Sequence, residues 1–264
     1  MEALLRWRHP NLGLLSPDKF IDLAEETGLV LPIGRWVIEM ACRQTEGWRR
    51  AGLPDFRVAV NLSPRQFADN RLIQVIQNAL DACGMPAKLL EIEITESMAM
   101  RDSARSEAVI RQIRALGVRV SIDDFGAGHS SMARLKHLSI DGIKIDRGFV
   151  RGLAVDVRDR AIVEAICALG HALQLKIVGE GVETAEQKAL LAQLHCDEIQ
   201  GFLFARPMPA EQIPDFVRKC ALARLGEIVE SSRRSPLAVV EELGARVAWR
   251  KREDFRERLP LSSG

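Results

Sequence analysis

Two adjacent carboxylates, Asp123 and Asp124, close an apolar run in the stretch V-R-V-S-I-D-D-F-G-A-G-H-S-S, Val118 to Ser131. Two such charges about 4 Å apart repel by roughly 4 kcal/mol at an effective dielectric near 20, so keeping both ionised in one site calls for a cation. Neighbouring residues on a strand point to opposite faces. The sequence therefore predicts that the strand stops at Asp123 and that a turn swings Asp124 back toward the same ion cluster. Gly126 and Gly128 permit such a turn because glycine tolerates positive φ. Taken alone, the stretch also reads as a surface turn rich in Asp and Gly, with a serine pair that starts a helix. The rest of the chain decides between the two.

Further hard, polar residues close other apolar runs: Asn61, Glu93, Lys144 with Asp146, and Glu180, with Gln200 placed similarly near a last short run and Glu2 near the start. Glu2, Asn61, Glu93, Asp123, Asp124 and Glu180 form an all-oxygen donor set that contains five carboxylates. Oxygen donors suit Mg²⁺, Mn²⁺ or Ca²⁺ rather than zinc or copper. Five carboxylates are too many for one Mg²⁺ and fit two ions about 3.5–4 Å apart, the arrangement that activates a water and stabilises the leaving oxygen of an in-line phosphoryl displacement. Lys144 falls on the side assigned to the interior, where it can hold the attacking water or offset charge. A salt-bridge layer that only fills the interior is the plain alternative. It has little need of so much uncompensated negative charge.

These residues need elements to hold them. Strands are predicted at Val58–Leu62, Leu89–Thr95, Val118–Asp123, Gly142–Asp146, Leu175–Glu180 and Ile199–Phe204. Between and after them, helices are expected at about Pro64–Cys83, Ser103–Leu116, Ser130–Leu138 and Arg158–Ala172, from a Thr184–Gln187 capping box onward, and at Ala210–Ala223. Two earlier helices are expected, one from Pro17 to Thr27 capped by Ser16 and stopped by Gly28, one from Ile33 to Arg50. Strands alternating with helices imply parallel pairing. Valine, isoleucine or leucine fills one side of each strand, while the other side is small or polar and ends in a functional group. An open doubly wound sheet gathers its site at one switch point. A site drawn from nearly every strand end is the layout of a (β/α)₈ TIM-type barrel. Six full strands plus a stub ending at Glu2 can be counted, so the barrel is expected to lack its N-terminal strand or strands, with Glu2 on a fraying terminus. Residues 1–218 are assigned to this domain. Residues 219–264 are assigned to a C-terminal helical extension, with a helix at Leu237–Trp249 and a charged tail at Arg250–Arg258.

Composition narrows the class. At 264 residues the chain can bury one large core, and a net charge of +1 speaks against a nucleic-acid polymer or a membrane surface as partner. No apolar run is long enough to span a bilayer, and no signal-peptide pattern opens the chain, so a cytoplasmic setting is expected. Cys42, Cys83, Cys167, Cys196 and Cys220 are scattered and odd in number, which favours reduced thiols and excludes a structural zinc site. His9, His137, His171 and His195 show no metal-ligand spacing.

In order along the chain stand E-A-L at Glu2 to Leu4 followed by L-R-W-R-H-P, V-N-L-S at Val60 to Ser63, E-I-T-E at Glu93 to Glu96, D-D-F-G-A-G-H-S-S at Asp123 to Ser131, K-I-D at Lys144 to Asp146, E-G-V-E at Glu180 to Glu183, and Q-G-F-L-F-A-R-P at Gln200 to Pro207. Over roughly residues 1 to 218 this series resembles the EAL-domain phosphodiesterases that hydrolyse cyclic di-GMP. The resemblance implies hydrolysis of one phosphodiester to linear pGpG with two Mg²⁺ or Mn²⁺ ions, Ca²⁺ being inhibitory. It implies Glu2, Asn61, Glu93 and Asp123 as ligands of one ion, and Asp123, Asp124 and Glu180 around the other. Lys144 and Glu180 would position or deprotonate the water. Arg6 would hold a substrate phosphate, and Gln200 would lie near water and substrate. Glu96 would brace the loop from Phe125 to Ser131, through which a homodimer couples to the metals. Glu183, like Asp146, would support the site, Glu183 by hydrogen bonding near Lys144. The alternative reading is a non-hydrolytic cyclic di-GMP receptor or a protein-interaction module built on the same fold.

Overall fold

In the computed structural model, residues 1–128 and 132–221 are described. Six strands form one sheet in chain order: β3 (Val58–Asn61), β4 (Leu90–Thr95), β5 (Arg119–Phe125), β6 (Gly142–Ile145), β7 (Lys176–Gly179) and β8 (Glu198–Ile199). Every neighbouring pair is parallel, and a single parallel bridge between Glu2 and Ala59 adds a seventh position before β3. Parallel neighbours require crossovers. Here the helical segments α3 (Pro64–Phe67) with α4 (Leu72–Cys83), α5 (Glu96–Arg101) with α6 (Ser103–Ala115), α7 (Met132–Leu135), α8 (Arg147–Gly152) with α9 (Val157–Ala172), and α10 (Ala185–Gln193) supply them. The first part of the chain forms a small antiparallel hairpin, β1 (Trp7–His9) and β2 (Gly13–Leu15), then helices α1 (Ile21–Thr27) and α2 (Val30–Arg50).

The sheet curls until its two ends face each other. Arg57, just before β3, pairs with Glu198 of β8 at 2.9 Å, and Gln200 beyond β8 reaches Glu2 at 3.3 Å. The result is a partial (β/α)₈ barrel. Where a fraying terminus was expected, Glu2 is tied to β3: the Ala3 N–H donates to the Ala59 carbonyl and the Ala59 N–H to the Met1 carbonyl, both at 2.8 Å. The apolar side of the strands, including Ile92, Ile94, Val120, Ile122, Ile143, Ile145 and Ile177, is fully buried in the core. Each such side chain contributes roughly 1.5–3 kcal/mol by leaving water. The opposite side carries Ala59, Glu93, Ser121 and Lys144 and lines the interior.

Several boundaries differ from the sequence-based expectation for local reasons. The helix expected over Pro64–Cys83 is split at residues 68–71, where Asp69 takes the Arg71 N–H and guanidinium and closes a turn. Ser16 spends its hydroxyl on Asp18 and caps no helix; a single 3₁₀ turn at Pro17–Lys19 precedes α1. The last strand is two residues long instead of running to Phe204, because the chain turns at 201–204, where the Phe204 N–H donates to the Gly201 carbonyl at 3.1 Å. The Thr184–Gln187 capping box is present, with Gln187 N–H donating to Thr184 Oγ1 at 3.1 Å and Thr184 N–H to Gln187 Oε1 at 3.0 Å.

Residues 1–207 form one compact unit. Of the second, the structure describes a 3₁₀ turn at Ala210–Gln212 and helix over 213–221. The helix expected at Leu237–Trp249 and the charged tail lie outside the described residues. All five cysteines are free thiols, and no helix among the described residues is long and apolar enough to cross a membrane.

Candidate active site

The register of the parallel sheet assembles the site. Glu2 aligns with Ala59, Asn61 with Glu93, Glu93 with Ser121, and Ser121 with Gly142. Aligned residues of neighbouring strands share a face, as do residues two apart. Glu2, Asn61, Glu93, Asp123, Lys144 and Glu180 therefore all turn inward at the C-terminal ends of their strands.

Asp124 joins them by a different device from the one the sequence suggests. The strand does not stop at Asp123; β5 continues to Phe125. Between the pairs Ile122–Ile143 and Phe125–Ile145, two residues of β5, Asp123 and Asp124, oppose the single Lys144 of β6. This is a β-bulge, and Asp124 carries the left-handed backbone, with φ 52°. Aspartate is among the few residues that visit this region routinely. The glycine turn comes afterwards, with Gly126 at φ 98°. Because of the bulge, Asp123, Asp124 and Glu180 can each offer an oxygen with all three within 4.8 Å of one another.

Lys144 is the hub. It is 3% exposed, and its Nζ lies 2.6 Å from Glu180 Oε1, 2.7 Å from Glu93 Oε1, 3.3 Å from Asp123 Oδ1 and 3.8 Å from Glu2 Oε2. Burial pulls its pKa down, but Glu93, Glu180, Asp123 and Glu2 outweigh burial and hold the ammonium above its ordinary value. At the carboxyls burial prevails instead. Burial raises Glu93 to about 8; Glu2 and Asp123 add to this while Lys144 opposes it. Burial likewise raises Glu180 to about 7, against Lys144 and reinforced by Asp123. Asp124 is raised to about 6 by burial, by Asp123 and by Asp146. One ammonium does not neutralise this set. The all-oxygen donors and the clustering of Asp123, Asp124 and Glu180 fit hard divalent cations.

Neutral amides tie the carboxylates together. Asn61 Nδ2 donates to Glu2 Oε1 at 2.6 Å, and Gln200 Nε2 donates to Glu180 Oε1 at 2.6 Å and to Glu2 Oε2 at 3.3 Å. Gln200 thus spans the seam of the barrel. Glu96, buried at the start of α5, accepts the Gly126 N–H at 3.0 Å and grips the turn after Asp124. Asp146 caps α8 through the Gly148 N–H at 2.8 Å. Arg6 is half-buried and makes no ion pair among the described residues; its Nη1 donates to the Leu5 carbonyl at 2.7 Å. Glu183 is not brought to the site as expected. Its side chain is exposed, and its backbone N–H donates to Gln187 Oε1 at 2.8 Å as part of the cap on α10, so it makes no bond to Lys144. His129, Ser130 and Ser131 lie outside the described residues.

Sequence reasoning missed the layer below the site, where Arg57 lies 3.7 Å from Glu91 and 2.9 Å from Glu198. The signal was available: Glu91 stands two residues before Glu93 and so shares its inward face.

Known proteins match most of this chain. The bifunctional diguanylate cyclase/cyclic di-GMP phosphodiesterase MucR of Pseudomonas aeruginosa is 52% identical over 213 residues, covering 81% of this chain and 31% of MucR. The signaling protein YkoW of Bacillus subtilis is 45% identical over 216 residues, covering 82% of this chain and 27% of YkoW. The chain therefore spans less than a third of the length of these curated relatives. A solved structure of the PaMucR phosphodiesterase in complex with c-di-GMP superposes with a TM-score of 0.78 at 52% identity, covering 80% of this chain and 86% of that one. The family described as EAL domain matches residues 1–207, and the chain belongs to it.

Proposed function

We infer that this chain is a cyclic di-GMP phosphodiesterase that opens one phosphodiester to give linear pGpG. The observation that carries the reading is the convergence of Glu2, Glu93, Asp123 and Glu180, from four separate positions of the sheet, within 3.8 Å of one buried lysine nitrogen. The related phosphodiesterase solved with c-di-GMP and the names of the relatives support the substrate.

Glu2, Asn61, Glu93 and Asp123 would hold one Mg²⁺ or Mn²⁺ ion, and Asp123, Asp124 and Glu180 the second. Such a pair supplies an acidified water and charge stabilisation at the leaving oxygen. The chain's own groups do the rest. Lys144 holds the attacking water and offsets negative charge as the phosphorus becomes five-coordinate. Glu180, whose Oε1 lies 2.6 Å from Lys144 Nζ, is placed to accept the water's proton. The P–O3′ bond breaks as the new P–O bond forms, and the 3′-oxygen leaves to be protonated. Gln200 fixes Glu180, and Arg6, free of any carboxylate among the described residues, supplies a guanidinium for a substrate phosphate. Glu96 braces the turn after Asp124, and a homodimer through that loop would set the bulge. The setting is taken as cytoplasmic.

The test is turnover. Purified protein with Mg²⁺ or Mn²⁺ should convert cyclic di-GMP to pGpG, and Glu2→Ala or Asp123→Ala should abolish it. Undiminished turnover in excess chelator would overturn the mechanism. Calorimetric binding with no product at long times would favour the receptor reading instead.

A further inference from the structure

Among the described residues, two buried polar atoms on adjacent strands of the interior lack a hydrogen-bonding partner, Glu93 Oε2 on β4 and Ser121 Oγ on β5, and the buried Lys144 Nζ stands on the next strand, β6. All three side chains are at most 3% exposed. Ser121 is flanked in register by Glu93 on one side and Gly142 on the other, and it lies one inward position below Asp123. Lys144 lies one inward position above Gly142. The four-residue patch Glu93, Ser121, Gly142 and Lys144 therefore forms the floor under the carboxylate cluster. Nothing in the activity proposed above uses Ser121.

Orphaned polar atoms are rare in interiors and cost stability when left without a partner. Two on adjacent strands, with a buried ammonium on the next, point to a shared occupant. Lys144 Nζ is held by Glu93 Oε1 at 2.7 Å and Glu180 Oε1 at 2.6 Å, and an ammonium has a third proton to give. The Ser121 hydroxyl makes no hydrogen bond to Glu93 or to Lys144 in the structure. Gly142 contributes no side chain beside it, and a Cβ there would come within 3.0 Å of the Lys176 carbonyl oxygen. A buried water makes about three hydrogen bonds, and here it can donate to the Glu93 carboxylate, pair with the Ser121 hydroxyl and accept from the Lys144 ammonium.

We propose that Ser121 is a positioning residue for Glu93: its hydroxyl anchors one buried water that bridges Glu93 Oε2 and Lys144 Nζ. The bridge fixes the orientation from which Glu93 would offer its other oxygen, Oε1, here 2.7 Å from Lys144 Nζ, to a cation. Ser121 does not touch substrate. The inference rests on the metal-dependent reading of the site but assigns a residue that reading leaves without a role.

The test uses the whole chain. Mn²⁺ affinity is measured by calorimetry for wild type, Ser121→Ala and Ser121→Thr, alongside kcat and KM for cyclic di-GMP and the metal-free melting temperature. Ser121→Ala should weaken Mn²⁺ binding about tenfold, the low end of the range for groups that orient metal ligands. It should lower kcat by a similar factor and leave KM within about twofold. Its metal-free melting temperature should stay within about 4 °C of wild type, because the change is small and no direct contact is lost. Ser121→Thr, which keeps the hydroxyl, should recover most of the affinity. Equal Mn²⁺ affinity and kcat in wild type and Ser121→Ala would overturn the inference alone. A wild type that binds no Mn²⁺ at all would overturn both the inference and the reading on which it rests.

Discussion

Replacing Lys144 with methionine separates the two kinds of cation this site accepts. The ammonium lies within 3.8 Å of four carboxylate oxygens and is 3% exposed, so in metal-free protein it is the principal compensation for their charge. Removing one partner of a buried ion pair costs about 3–5 kcal/mol. At about pH 8 in chelator, Lys144→Met should lose stability of that order, read from the urea midpoint. At about pH 5 the loss should shrink, since Glu93 and Glu180, raised to about 8 and about 7, are then protonated and need no cation. With saturating Mn²⁺ the loss should shrink as well. Two unit charges about 4 Å apart interact by roughly 4 kcal/mol at an effective dielectric near 20, so deleting a competing positive charge should tighten Mn²⁺ binding by at least about tenfold. Turnover should move the other way, falling about 10²- to 10³-fold with loss of a charge stabiliser. The paired assay is calorimetry with Mn²⁺ and pGpG formation on the same samples. Lys144→Met that binds Mn²⁺ more weakly than wild type, or that is destabilised equally with and without metal, would refute this electrostatic account.

The metal-free wild type should lose stability as pH rises from about 5 to 8. The sign follows because Glu93 and Glu180 are raised from 4.5, so their penalty is absent below the unfolded value and grows until each ionises in the fold. Lys144, raised above its ordinary 10.5, contributes equally across that window. Urea midpoints in chelator that are flat or rising with pH would contradict this, and Mg²⁺ or Mn²⁺ should remove most of the slope. Asp124→Asn should leave stability in chelator unchanged or higher and weaken Mn²⁺ binding at least about tenfold, whereas Asp124→Val should cost about 1–2 kcal/mol, because a β-branched residue resists the left-handed backbone at φ 52°. Glu96→Ala should leave the Gly126 N–H without its acceptor, cost about 1–3 kcal/mol, and speed hydrogen exchange at that amide; unchanged exchange would show that Glu96 does not hold the turn. Thr184→Ala should destabilise by about 0.5–2 kcal/mol through loss of the cap on α10 and leave Mn²⁺ affinity unchanged.

Much of this molecule is legible in its sequence because the relevant rules are local. Alternation along Leu90–Thr95 and Gly142–Ile145 marks which side of each strand is apolar, and that alone places Glu93 and Lys144 on a common inner face. The capping box at Thr184 is visible as a spacing of three residues. The donor types also need no structure: an all-oxygen set with five carboxylates selects hard cations. What escaped depends on contacts between residues far apart in the chain. The bulge that brings Asp124 beside Asp123 exists because β6 supplies one residue where β5 supplies two, and no window of sequence states that count. The pinning of Glu2 by Ala59, and the reach of Gln200 across the seam, join residues up to 198 positions apart. Glu183 misled for the same reason. Its motif neighbour Glu180 faces Lys144, yet the chain turns at Gly181 with φ 68° and sends Glu183 to solvent. Sequence determines which groups face inward and what ions they suit, because periodicity and donor chemistry belong to single segments. Only the closed path of the sheet decides which of those groups meet, because register and curvature belong to pairs of strands.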